Sequence, residues 1–225
     1  MKLSNDTMAV LKNFSEINPG MYFRTGQTIR TVSPQKSILA QAKIAETIDN
    51  DFGIYDMNNF LSVISAHGEG VEISLGLKSA DIIGNGGRST VNYRFCDSSM
   101  IVVAPEKDIV LTNPEITFNL SSEDFTWIKK ISSVLQSPHI VIESDGTKVY
   151  MSTKDMANDS AHSESLEICD GNGVSYKMVF RTEYFKFIQG SYDVQISSKG
   201  IAHLKNTGKD IQYWVTTESS STFSS

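Results

Sequence analysis

The chain has little of what would assign it to a specialised class. Its 225 residues include only two cysteines, Cys96 and Cys169. That is too few for a disulfide framework, and the spacing is not that of a zinc site, so free buried thiols are expected. The four histidines, His67, His139, His162 and His203, are scattered, with no two of them one helical turn apart. No metal and no cofactor are therefore expected. The longest strictly apolar run is 100–104, far short of the ~20 residues a spanning helix needs, which argues against a membrane role. The first residues, Met1-Lys2-Leu3-Ser4-Asn5-Asp6, turn polar where an export signal would be apolar, so an intracellular site is expected. Positive charge is also scarce: 20 Lys and Arg against 26 Asp and Glu give a net charge of −6. Such a chain is repelled by phosphate at long range, so any nucleic-acid role must rest on where its few cations sit.

What is present is a duplication. Leu3-Ser4-Asn5-Asp6, followed by Val10, Leu11, Lys12 and Phe14, returns 117 positions later as Leu120-Ser121-Ser122-Glu123, followed by Trp127, Ile128, Lys129 and Ile131. Gly26 to Ile29 matches Gly146 to Val149, and Tyr55 with Phe60 matches Phe180 with Phe185. Val71 to Ser74 matches Val194 to Ser197, and Val91-Asn92-Tyr93 matches Ile211-Gln212-Tyr213. Five segments in the same order argue for two copies of one domain. The length allows ~110 residues for each, enough for its own core. The domains expected are 1–104 and 115–225, joined by a proline-bounded connector, 105–114.

Within the first copy, Ser4 is placed to cap a helix over 5–17, whose apolar Val10, Leu11, Phe14 and Ile17 share one side. The period then changes to two, predicting strands over 21–25, 28–32 and 38–44, with a less regular one over 46–55. Asp56 caps a second short helix carrying Phe60, Val63 and Ile64. Strands are expected over 71–75, 77–83, 88–95 and 100–104. The second copy repeats this order, with Ser121 or Ser122 as cap, a long helix to about 136 and a second short helix over 182–188. Its strands are expected over 139–143, 148–153, 163–169, 174–180, 192–197, 201–205 and 211–217. Two helices against about eight strands per copy indicate an α+β fold with all helices on one side. The serine-rich stretch 219–225 reads as frayed.

Two fragments resemble ligand loops and are better read as hairpin turns. Gly84-Asn85-Gly86-Gly87-Arg88-Ser89-Thr90 lacks the Gly-Lys-Ser/Thr ending of a phosphate loop, and Asp170-Gly171-Asn172-Gly173 lacks the later ligands of a calcium loop. No Ser or Cys nucleophile stands in a recognisable elbow, and no catalytic residue is assigned. The remaining constellation is cationic. Lys12 and Lys129 hold the same position in the two long helices, with Lys130 beside the second and Lys186 on the expected second short helix of copy two. A solvated helix face is the bland reading of any one lysine; the repetition favours a shared surface.

At these residues the chain resembles the sliding clamps, the DNA polymerase processivity factors of T-even-type bacteriophages. The likeness is carried by Met1-Lys2-Leu3-Ser4 with Leu11-Lys12-Asn13-Phe14, by Ile54-Tyr55-Asp56-Met57-Asn58-Asn59-Phe60-Leu61, by Gly26-Gln27 and by Val102-Val103-Ala104-Pro105. It implies two similar clamp domains, with sheets outside and two helices per domain inside, closing as a homotrimeric ring around double-stranded DNA without reading its sequence. It further implies a non-enzyme that tethers DNA polymerase for processive synthesis, is loaded by a clamp loader ATPase, and acts in the cytoplasm of the infected bacterial host. By the same resemblance, Lys12, Lys129, Lys130 and Lys186 would face DNA. Ile109, Val110 and Leu111 of the connector, with Tyr213 or Trp214, would receive the polymerase. Edge strands carrying Ile101, Val102 and Val103 on one subunit, and Leu166 and Ile168 on the next, would join the ring. The alternative reading is a β-rich virion or assembly protein. A third is an enzyme with an unrecognised site between domains.

Overall fold

The computed structural model describes residues 1–107 and 109–224; Asp108, inside the expected connector, and Ser225 lie outside the described residues. The chain divides into two compact units, Met1–Asp108 and Ile109–Ser225. The first unit runs α1 (Asn5–Ile17), β1 (Met21–Phe23), β2 (Gly26–Val32), β3 (Ile38–Ile48), β4 (Phe52–Ile54), α2 (Met57–Ala66), β5 (Glu72–Leu75), β6 (Ser79–Gly84) and β7 (Ser89–Arg94). In it β2 pairs with β3, β1 pairs with β4, and β5, β6 and β7 form an antiparallel sheet in that order. The second unit runs β8 (Ile116–Leu120), α3 (Ser122–Val134), β9 (His139–Asp145), β10 (Lys148–Lys154), β11 (Glu164–Asp170), β12 (Ser175–Arg181), β13 (Tyr192–Ser197), β14 (Ile201–Asn206), β15 (Ile211–Thr216) and β16 (Thr222–Ser224). Its strands lie in the orders β11-β10-β9-β12-β16 and β15-β14-β13-β8.

Both long helices start where the serine pattern places them. Ser4 Oγ accepts from Thr7 N at 3.2 Å and Ser121 Oγ from Asp124 N at 3.0 Å, each satisfying one of the free amides of a first turn. Asp56 caps α2 in the same way, accepting from Asn59 N at 2.9 Å. The core of the first unit includes Phe14, Met21, Ile29, Ile54, Met57 and Ile82, and that of the second Phe125, Phe180, Tyr192 and Tyr213, all fully buried.

Five expectations are corrected. The second short helix of copy two is absent: Thr182–Tyr184 is a single 3-10 turn, and Lys186 lies on the non-helical stretch that follows. The reason is a change of period. Met57, Phe60, Leu61 and Ile64 recur at helical spacing in α2, whereas Phe185 and Phe187 alternate with half-buried neighbours and are both buried. Those two rings join Phe125, Tyr192 and Tyr213 in one aromatic cluster, and the Tyr213 hydroxyl accepts from Ile188 N at 3.1 Å while the Tyr192 hydroxyl donates to Ile188 O. The backbone groups a helix would use internally are thus taken by side chains.

The expected strand over 100–104 is likewise absent. Ser98–Met100 is a 3-10 turn capped by Asp97, and the segment after it is pinned by side chains. Asn18 Nδ2 donates to Val102 O at 3.1 Å and Arg24 Nη1 to Ala104 O at 3.3 Å. Ile101 sits so close to Gly20 that a Cβ there would lie 2.6 Å from its Cγ2.

The loop at Gly84 to Thr90 does turn β6 into β7, with a 3-10 turn at Asn85–Gly87. Asp170 to Gly173, however, is no hairpin, because β11 and β12 are separated by β10 and β9. It crosses the end of the β9–β10 hairpin, with Gly171 N donating to Thr147 O at 2.7 Å and Gly173 N to Gly146 O at 2.9 Å. A Cβ on Gly171 would lie 2.5 Å from Gly146 O, so the glycine serves a close approach, not a ligand. Finally, the C-terminal stretch is not frayed through its length: β16 pairs with β12 through Ser175↔Ser224, Tyr176↔Phe223 and Lys177↔Thr222. Both thiols are free and half-buried rather than buried.

Candidate functional site

The serine caps fix the phase of α1 and α3, and so fix where their lysines emerge. Lys12 stands eight positions after Ser4 and Lys129 eight after Ser121. Both are exposed, while the residues before them, Leu11 and Ile128, are buried. Lys129 Nζ lies 5.3 Å from the centre of the Phe125 ring, a cation–π contact that holds the stem along the helix. Lys130 is also exposed, but emerges about 100° around the helix from Lys129. Lys186 is half-buried. Each helix is tethered beyond its cap. Glu46 of β3 accepts from Ser4 N and Thr7 Oγ1 at 2.5 Å each. Burial alone would raise that carboxyl, but the Thr7 and Ser4 bonds outweigh it and hold it below its usual range. In the second unit Ser122 N donates to Ser191 Oγ at 3.0 Å.

The connector residues Ile109 and Leu111 are half-buried, and Val110 is exposed. Tyr213 is enclosed in the aromatic cluster described above, whereas its neighbour Trp214 is buried against His203, ring centres 4.8 Å apart and nearly parallel. Burial pushes the His203 imidazole below its ordinary pKa, with the Gln212 bond opposing. Of the residues expected at subunit edges, Leu166 and Ile168 are half-buried on β11, which among the described residues pairs only with β10. Ile101, Val102 and Val103 belong to no strand. In the first unit β7 and β5 are the two edges of their three-stranded sheet, each paired with β6 alone among the described strands.

Two clefts of about 400 Å³ sit at matching places. One lies where α1 ends and α2 begins, lined by Pro19, Tyr55, Asp56 and Ile101; the other lies where α3 ends, lined by Lys129, Gln136, Ser137 and Glu183. Their backbones correspond, with Met57 N donating to Pro19 O and Thr182 N to Pro138 O. Burial raises both cysteine thiols, Cys96 and Cys169, which disfavours the reactive thiolate. Among the described residues no group of three or more His, Cys, Asp or Glu is placed to hold a metal, and no helix is long and apolar enough to cross a membrane.

Comparison with known proteins decides the family. Residues 4–103 match the family of DNA polymerase processivity factors. The chain is 32% identical to the sliding clamp of Enterobacteria phage T4 and 31% identical to that of Escherichia phage RB69, covering 99% of this chain and 99% of each relative. The chain belongs to the sliding-clamp family. The fold of this clamp is shared more widely: PCNA from Thermococcus kodakaraensis superposes with a TM-score of 0.69 at 11% identity, over 95% of this chain and 96% of that one. What the sequence reading of the clamp missed is that β7 is an edge strand of the first unit, with β5 at the other side of the same sheet. Its signal was available, since Val91 and Tyr93 alternate with polar residues between Arg88 and Arg94.

Proposed function

We propose that three copies of this chain close into a ring that encircles duplex DNA and holds the replicative polymerase to it, after an ATP-dependent loader has opened the ring. The observation that carries this reading is the matched pair of exposed lysines. A chain of net charge −6 places Lys12 and Lys129 on helices started by equivalent serine caps, so that the same cation recurs at each repeat. Lys130 and Lys186 would add to this surface. A topologically closed ring needs no tight contact. A few mobile phosphate interactions, blind to sequence, permit sliding, while the acidic remainder discourages random adhesion to DNA. Tethering the polymerase to the ring raises its effective concentration at the primer end.

The polymerase would dock on the connector, 105–114, between domains 1–104 and 115–225. Ile109, Val110 and Leu111 supply apolar surface there, with Tyr213 or Trp214, both buried, as aromatic support from the last long strand. The ring would close by edge pairing of β7 on one copy with β11, carrying Leu166 and Ile168, on the next. No catalysis by the clamp itself is required, and its place of work would be the cytoplasm of the infected bacterial host. Charge reversal of Lys12 and Lys129 together to Glu is expected to lower clamp-dependent processive synthesis at ~0.15 M salt, where screening is moderate, with the trimer intact by native mass. Unchanged synthesis would remove the DNA-lining role from these lysines.

A further inference from the structure

The chain contains Asn-Gly twice, at Asn85-Gly86 in the first unit and at Asn172-Gly173 in the second. Asparagine followed by glycine is the dipeptide most open to self-modification, because the next backbone nitrogen can reach the side-chain carbonyl carbon and glycine puts no Cβ in its way. All four residues are exposed, so access of water does not separate the two pairs. Hydrogen bonding does. At the second pair the Gly173 amide, which would be the nucleophile, donates to Gly146 O at 2.9 Å, and Asn172 Oδ1 accepts from Val174 N at 3.3 Å. The Gly171 amide donates to Thr147 O at 2.7 Å, so this loop is held on both sides of Asn172.

The first pair lacks these restraints. Asn85, Gly86 and Gly87 form the tip between β6 and β7, all three at positive φ, 52°, 65° and 87°. A Cβ placed on Gly86 or Gly87 would meet nothing within 4 Å. Arg88 N donates to Asn85 O at 3.4 Å, longer than an ordinary backbone bond, so little holds the tip closed. Bonds in a 3-10 turn close from residue i+3, which leaves the Gly86 amide without a partner in the turn. Among the described residues neither that amide nor the Asn85 side chain has one elsewhere. We propose that Asn85 is a deamidation site, converted to aspartate and isoaspartate with water as the only co-reactant, while Asn172 is held unreactive.

The Gly86 nitrogen, on losing its proton, bonds to Asn85 Cγ; the Cγ–Nδ2 bond breaks, and Nδ2 takes up a proton and leaves as ammonia. Water then opens the imide ring. Addition at Cγ breaks the new bond and gives aspartate, whereas addition at the backbone carbonyl breaks the original peptide bond and routes the main chain through Cβ and Cγ as isoaspartate. Either way an amide is exchanged for a carboxylate, one further negative charge on a chain of net charge −6. Isoaspartate also adds a carbon to the main chain inside the turn that sets the Gly84↔Ser89 register of β6 and β7. The age of a clamp would thus be recorded at one end of its β5-β6-β7 sheet and nowhere equivalent in the second unit.

The test ages the full wild-type chain in mildly alkaline buffer, where more of the backbone amide is deprotonated, with a parallel sample in denaturant. Trypsin places the two pairs on separate peptides, 79–88 and 155–177. Site-resolved mass spectrometry, with isoaspartate counted by enzymatic methylation, gives the rate at each. In denaturant both dipeptides are free and should react at comparable rates. In the folded chain Asn85 is expected to react at least tenfold faster than Asn172, and heavy-oxygen water should label the new carboxyl. Gly86→Ala, which sets a Cβ beside the nucleophile, and Asn85→Gln, whose longer side chain must close a larger ring, should each slow the reaction at position 85 at least tenfold. Equal rates at the two pairs in the folded chain would overturn the proposal, as would an Asn85 that reacts in denaturant and stays intact when folded.

Discussion

The two units start alike and finish differently, and the difference lies at their helices. In the first, α1 is buried along Val10, Phe14 and Ile17, and α2 forms a full ten-residue helix. In the second, α3 leaves the corresponding stripe open, and the second helix is replaced by a 3-10 turn and an aromatic cluster around Phe187. The caps, the sheets and the outward lysine are common to both. Duplication therefore preserved the helix starts and the cationic position, while the burial of the helix faces diverged.

The largest expected contrast is between equivalent core positions. Phe14→Ala should cost about 3–5 kcal/mol in denaturant unfolding of the dilute chain, because it opens a cavity in a fully buried site. Ile131→Ala, at the equivalent but partly exposed position of α3, should cost no more than ~1.5 kcal/mol under the same conditions. Equal losses would break the comparison. A smaller effect should be shared. Ser4→Ala and Ser121→Ala each remove one cap bond and should each cost about 1 kcal/mol; a large inequality would show that the two helix starts are not equivalent.

The smallest expected effect depends on pH and belongs to the first unit. Glu46 is held below its usual range by Thr7 and Ser4, so the unfolded chain binds its proton more readily than the folded one. Its contribution is complete above its unfolded pKa, about 4.3, and is lost as pH falls through the lower folded value. Amide exchange in the first turn of α1 should accelerate over that acid range, and Glu46→Gln should abolish the pH dependence. An unaltered exchange profile in the variant would show that the carboxylate does not anchor the helix.

Much of the scaffold could be read from residue order. The serine caps, the i, i+3, i+4 pattern of α1 and α2, and the alternation of most strands are local signals, and local physics decides them. The readings that failed were those where side chains distant in sequence claimed backbone groups. Ile188 is held by Tyr192 and Tyr213, Val102 by Asn18 and Ala104 by Arg24, and none of these pairings leaves a mark in the window around the segment. The Asp170 to Gly173 loop failed for a related reason. Its glycines resemble those of a hairpin until the strand order shows them passing beneath Gly146.

The sequence by itself determined the duplication, the two helix starts, the paired lysines and, through resemblance to relatives, the family. Only the tertiary structure decided which edge strands are paired on one side and which apolar stripe stays uncovered. Burial is a property of what lies opposite a residue: Phe14 and Ile131, both large and apolar at equivalent positions, end with different cover.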